Sequence, residues 1–322
     1  MNLAQLLHIL ADGEFHSGEE IGRALGVSRA AVWKRLSGLE RLGLHLEARH
    51  RTGYRIAGGL DLLDADRIRP QMAFSSKLGK LDVLLDIDST NERALASTVH
   101  PGRAYACVAE SQREGRGRHG RTWVSPFANS IYLSLAWEFN AGISALEGLS
   151  LATGVAILRA LQSQGIDSPG LKWPNDIVFD GRKLGGVLIE LSGEISGPCK
   201  AVIGIGLNGA LPDASATEID IPWTDLKTLA GNASIDRNAL VAKLLDELIA
   251  LVSDYHQQGF ATWRDAWLDY DALSGQNLSV HLGDKRIIGI AAGVDGRGAL
   301  LLKTGDGIQS FAGGEVSLKP IK

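Results

Sequence analysis

The chain has 322 residues, with 33 Lys+Arg against 37 Asp+Glu, 45% hydrophobic residues and 39 glycines. That length fits two or three domains, and the 22% charged content is that of a globular chain, not a disordered one. A net charge of −4 excludes a wholly basic nucleic-acid coat, and no uninterrupted apolar run approaches the roughly 18 residues of a membrane span.

The first residues lack the basic region and cleavage site of a signal sequence and carry Asp12 and Glu14 early. Leucines at 3, 6, 7 and 10 follow i, i+3, i+4, i+7 spacing and predict a helix over 3–11. Ser17 and Glu20 form a capping box before a helix ending near Leu25, and Ser28 caps a third helix running to about Gly43. In that helix Val32, Leu36 and Leu39 point inward, leaving Arg29, Ala30, Trp33, Lys34 and Ser37 outside. Strands at 44–47 and 54–56 flank a basic turn, so residues 1–60 read as a winged helix-turn-helix. Between 28 and 55 seven Arg and Lys residues face only Glu40 and Glu47, a local excess of +5. A small cationic helix face suits the DNA major groove, with Ser28, Arg29, Ala30, Trp33, Lys34, Arg35 and the wing residue Arg51 as candidate contacts.

Beyond Gly58-Gly59, residues 64–271 predict an α+β domain with a mixed sheet, because strands arrive in groups instead of alternating with helices. Apolar strands are expected at 83–87, 104–109, 130–137, 186–191 and 201–207, and helices at 147–164, 238–256 and 261–270. Residues 272–322 give five short strands separated by glycine turns, a small SH3-like β-barrel. Cys107 and Cys199 are too few for a disulfide framework, so a cytoplasmic location is expected. The histidines form no HxxxH or HxH pair, so no metal-ligand set is assigned.

Two segments match G-x-G-x-x-G, at 115–120 and 204–209, but neither opens a helix, which removes the dinucleotide-binding reading. The first lies in the long loop 111–129. There Arg116, Arg118 and Arg121 alternate with glycines, a composition suited to gripping an anion. Ser89-Thr90-Asn91 opens a helix, Lys172-Trp-Pro-Asn-Asp176 interrupts a strand, and Lys183 stands where the next strand begins. No P-loop and no nucleophile elbow is present.

GRGRHGR at 115–121, STN at 89–91, KWPND at 172–176, RKLGGVLIE at 182–190 and GIGLN at 204–208 resemble the successive motifs of biotin–protein ligases. With the winged helix, the resemblance extends over essentially the whole chain to the bifunctional ligase and biotin-operon-repressor type. It implies activation of biotin by ATP and Mg2+ to biotinyl-5′-AMP, then transfer to a lysine of the biotin carboxyl carrier domain of acetyl-CoA carboxylase. It also implies that the adenylate acts as corepressor on operator DNA and promotes a homodimer. By the same resemblance, Ser89, Thr90, Asn91, Gln112, Gly115, Arg116, Gly117, Arg118, Trp123 and Lys183 should hold biotin. Arg116, Arg118, Arg121, Lys183, Asn208 and Trp223 should hold ATP, and Lys183, Arg118 and Asp176 should carry the catalysis. A repressor that only senses a small effector, and a lipoate-type ligase, are the alternatives.

Overall fold

A computed structural model describes residues 3–213, 217–231, 235–282, 285–312 and 317–320. Helix α1 (Leu3–Leu10) buries Leu6, Leu7 and Leu10. Helix α2 (Gly18–Leu25) starts on the expected capping box, with Glu20 N donating to Ser17 Oγ and Ser17 N donating to the Glu20 carboxylate. It stops at Gly26, whose φ of 63° is the left-handed conformation that glycine adopts without cost. Helix α3 (Arg29–Leu39) is capped by Ser28 and buries Val32, Leu36 and Leu39. It ends earlier than expected, in a 3-10 turn at Glu40–Leu42. Strand β1 (Leu46–Arg49) starts two residues late because Leu44 is drawn into the helical core, and β2 (Gly53–Ile56) completes the wing. The Arg49 and Arg55 guanidinium carbons lie 4.7 and 4.6 Å from the Phe15 ring centre, which fixes both arginines on the wing.

The boundary falls between Leu62, buried in this N-terminal core, and Leu63, buried in the next. A buried ion pair secures the crossing. Arg237 meets Glu110 at 2.7 Å, Glu110 accepts from Leu63 N at 2.6 Å, and Arg237 donates to Asp61 O at 2.8 Å. Phe127, from the long loop, also packs into the N-terminal core.

The central sheet has seven strands: β3 (Leu78–Leu84), β4 (Ala104–Ala109), β5 (Ile131–Phe139), β6 (Gly170–Lys172), β7 (Asp176–Phe179), β8 (Arg182–Gly193) and β9 (Cys199–Leu207). Their order is β3-β4-β5-β9-β8-β7-β6, with β3 and β4 parallel and the other pairs antiparallel. Strand β3 precedes the expected 83–87, because Ile87 makes only an isolated bridge to Gln112. Within this unit two helices precede β4, namely α4 (Ala65–Ile68) and α5 (Thr90–Leu95). Helix α6 (Leu149–Gln162) follows β5, and α7 (Leu226–Ala230), α8 (Arg237–Gln258) and α9 (Arg264–Asp269) follow β9. The apolar stretch from Ile143 to Gln162 is long enough by count for a membrane span, but it is interrupted at Glu147-Gly148 and 61% of it is buried in this protein. The expected helix at 261–270 divides into a 3-10 turn at Phe260–Thr262 and α9.

The tail forms the five expected strands, β10 (Asn277–Leu282), β11 (Lys285–Val294), β12 (Leu300–Thr304), β13 (Gly307–Phe311) and β14 (Ser317–Pro320), all antiparallel in the order β13-β12-β11-β10-β14. The turns expected at 283–284 and 313–314 lie outside the described residues. Leu278, Val280, Val294 and Leu302 belong to the same buried cluster as the central helices, so the tail packs onto that core.

Candidate active site

Side chains alternate along β8 and β9, and the alternation makes two unlike faces. Val187, Ile203 and Ile205 lie buried in the main core with residues of α6 and α8. The opposite face pairs Gly186 with Gly206 and Leu188 with Gly204, and continues on β5 to Tyr132 and Ser134. The glycines leave a depression that other side chains fill. A Cβ on Gly206 would stand 2.5 Å from the Trp123 ring, and one on Gly204 would overlap the Asn91 carboxamide. Above this floor lies a cleft of about 1010 Å³.

One end of the cleft is polar and largely buried. Ser89 caps α5 and is 3% exposed; Thr90 and Asn91 are each 4% exposed. Gln112 Oε1 accepts from Thr90 N at 2.9 Å and lies 3.0 Å from Thr90 Oγ1. Ser134 Oγ stands 2.8 Å from Thr90 Oγ1 and 2.6 Å from Asn91 Oδ1. Asn91 Nδ2 donates to Glu190 Oε2 at 2.6 Å.

The other end is cationic. Lys183 meets Asp176 at 2.6 Å and lies 5.5 Å from the Trp123 ring centre. Arg118 donates to Asn175 Oδ1 at 3.5 Å, and Asn175 Nδ2 donates to Val187 O at 2.8 Å. Burial lowers the Arg118 pKa from its ordinary value, against a smaller opposing contribution from the Asp176 charge. A half-buried guanidinium of that kind gains from an arriving anion. Arg116 pairs with Glu92 at 2.7 Å, so its charge is partly occupied, while Arg121 is exposed at the rim. Trp223 sits beside Lys183 through a parallel bridge, and Asn208 Nδ2 donates to Thr224 O at 3.0 Å, bracing that contact.

The long loop is folded back on itself. Gly117 N donates to Arg121 O at 2.7 Å, Trp123 N donates to Gly115 O at 2.8 Å, and Arg116 bridges Thr122. Every residue expected to hold biotin or ATP lines the cleft except Gly115. Gly115 supports it from behind, since a Cβ there would lie 2.5 Å from Trp123 O and 2.8 Å from Ser125 Oγ. Sequence reasoning did not select Ser134, Glu190, Gly204, Gly206 or the lining segment 218–221. The available signal was glycine at alternate positions of an apolar strand, which marks close approach of another group.

Three segments match known domain families. The Biotin/lipoate A/B protein ligase family matches residues 86–208, an HTH domain 2–55, and the biotin protein ligase C-terminal domain 273–319. The bifunctional ligase/repressor BirA of Salmonella typhimurium is 40% identical, covering 98% of this chain and 96% of its own. The chain belongs to the bifunctional ligase/repressor family of biotin protein ligases. The Bacillus subtilis BirA is 31% identical over 96% of this chain. The Aquifex aeolicus biotin protein ligase, solved in complex with biotin and ATP, superposes with a TM-score of 0.62 at 28% identity, covering 76% of this chain and all of that one. The ligase-family match covers the central sheet from β4 to β9 but not β3 or helices α7–α9.

Proposed function

We propose that this biotin protein ligase family member activates biotin with ATP to biotinyl-5′-AMP and transfers the biotinyl group to a lysine of the carboxyl carrier domain of acetyl-CoA carboxylase. With the adenylate as corepressor, it binds operator DNA and represses biotin biosynthesis genes. The observation that carries the ligase reading is one cleft with a hydrogen-bonding head, an indole on a glycine floor, and Lys183 with Arg118 at the far end. Ser89, Thr90, Asn91 and Gln112 take the cyclic urea, Trp123 and Gly117 cover the bicyclic ring and valeryl chain, and Arg116 closes over them. Arg121, Asn208 and Trp223 form the nucleotide side, where an indole offers adenine a stacking face.

The biotin carboxylate oxygen attacks the α-phosphorus and pyrophosphate leaves; the carrier amine then attacks the acyl carbon and AMP leaves. Both steps gather negative charge beside Lys183 and Arg118, where positioned cations lower the barrier. Asp176 holds the Lys183 ammonium in place. Among the described residues no three His, Cys, Asp or Glu side chains gather into a ligand set. Magnesium fits as an ion carried by the nucleotide phosphates, with the Asp176 carboxylate as the donor this chain offers. The polar head disfavours a lipoate-type ligase, since a dithiolane would leave buried donors and acceptors unpaired. Biotin-dependent release of pyrophosphate, with no release on lipoate, tests the choice; equal release on both would reverse it.

The glycine floor yields a first expectation. Gly206→Val should push Trp123 out of place and weaken biotin binding at least tenfold by calorimetry, because the nearest atoms belong to a ring that must move as a whole. Unchanged affinity would show that the floor does not set the ring position.

The corepressor reading adds a second. The segment from Arg116 to Thr122 touches the rest of the protein through few bonds, so a bound adenylate lowers the entropy still to be lost when a second subunit packs on it. Sedimentation should show a shift from monomer to dimer on adding biotinyl-5′-AMP, and a bulkier residue at Gly115 should weaken the shift. An equilibrium that ignores saturating adenylate would remove the switch.

A further inference from the structure

Glu190 carries no ion pair among the described residues, yet it accepts a 2.6 Å hydrogen bond from a side chain of the cleft. Its position follows from the strand. It lies two and four residues beyond Leu188 and Gly186 on the same face, opposite Val202. A carboxylate holds no proton and can only accept, so the amide of Asn91 must turn its Nδ2 to Glu190. Asn91 Oδ1 then faces Ser134, 2.6 Å away, and takes the Ser134 hydroxyl proton. Ser134 has no second proton for Thr90, 2.8 Å away, so the single Thr90 hydroxyl proton is shared between Ser134 Oγ and Gln112 Oε1, 3.0 Å away. Gln112 Oε1 remains bound to Thr90 N at 2.9 Å, which turns the Gln112 amide nitrogen toward Ser125 and the cleft.

We infer that Glu190 is the positioning residue that sets the direction of the hydrogen-bond chain Asn91–Ser134–Thr90, beside a Gln112 amide that the Thr90 backbone already orients, and so fixes which of these side-chain atoms donate and which accept toward a cyclic urea. The inference rests on the biotin reading above. A urea offers two N–H donors and one acceptor in fixed positions, so a cleft whose amides and hydroxyls point one way recognises it, and one free to reverse does so only part of the time. Glutamine at 190 keeps the shape but can donate as well as accept. The Asn91 amide then has two orientations, and the polarity of the whole chain is no longer specified.

The test uses the full-length protein with biotin, ATP and magnesium, reading pyrophosphate release. Glu190→Gln should raise KM for biotin about tenfold, with the loss falling on biotin and not on KM for ATP or on kcat. Thermal unfolding of the same variant checks that it is folded. Ser134→Ala should produce a similar rise, and the double variant should be no worse than the poorer single one, because both break one chain. Wild-type KM for biotin in a folded Glu190→Gln protein would overturn this role, as would fully additive losses in the double variant. If the variant unfolds, Ser134→Ala with Glu190 intact gives the decision: an unchanged KM overturns the chain. Wild-type protein that fails to respond to biotin would overturn the ligase reading itself, which separates that failure from this one.

Discussion

Replacing Lys183 by alanine is expected to lower biotin-dependent pyrophosphate release by about 10²–10³-fold, the usual consequence of removing one preorganised donor to a developing charge. Arg118→Ala should fall in the same range. Both side chains are held where an anion would arrive, Lys183 by Asp176 at 2.6 Å and Arg118 by Asn175 at 3.5 Å. Their surroundings differ in a useful way. Lys183 keeps a carboxylate partner, whereas burial lowers the Arg118 pKa from its ordinary value and leaves that guanidinium short of compensating charge. Loss of Arg118 should therefore weaken retention of the adenylate as well as its formation. Rates equal to wild type in both single variants, measured at saturating substrates, would sink the catalytic assignment.

Reversing Arg29, Lys34 and Arg35 to glutamate is expected to abolish operator binding while leaving ligation largely intact. Arg29 and Lys34 lie exposed on α3 and Arg35 is half-buried beside them. Turning three cations into three anions against a phosphate backbone removes the salt-dependent attraction on which both specific and non-specific binding rely. Trp33, 63% exposed on the same helix, would remain available for apolar contact but could not offset that repulsion. The N-terminal core meets the central unit at Leu85, Phe127 and Ala128 and beside the Glu110–Arg237 anchor, which none of the three substitutions touches. Gel-shift and pyrophosphate assays on the same preparation check both halves. Ligation collapsing together with DNA binding in a folded protein would contradict the modular reading.

Much of this was legible because local chemistry and global fold agree. The capping box at Ser17, the Ser28 cap and the Val32–Leu36–Leu39 stripe fixed the winged helix without tertiary information. The arginine–glycine loop and Lys183 stood out by residue type, the STN turn gained its role from the family resemblance, and the fold brings them to one cleft. What stayed hidden depends on pairing. Gly204 and Gly206 matter because β9 lies between β5 and β8, a register that the chain does not spell out. Ser134 and Glu190 sit in apolar strands, where a single polar residue looks like noise until the α5 side chains that pair with it are known. The start of β1 moved because burying Leu44 outweighed its strand preference. The tail gave its five strands but not its dependence on the central core, since shared burial leaves no mark on periodicity.

The central claim, one cleft that joins biotin to ATP and passes the product to a protein lysine, is tested most directly by weighing the acceptor. A biotin carboxyl carrier domain incubated with this protein, ATP, magnesium and biotin should gain the mass of one biotinyl group, and should gain nothing with lipoate or without ATP. An acceptor of unchanged mass with biotin, or one that gains a lipoyl group instead, would contradict the account.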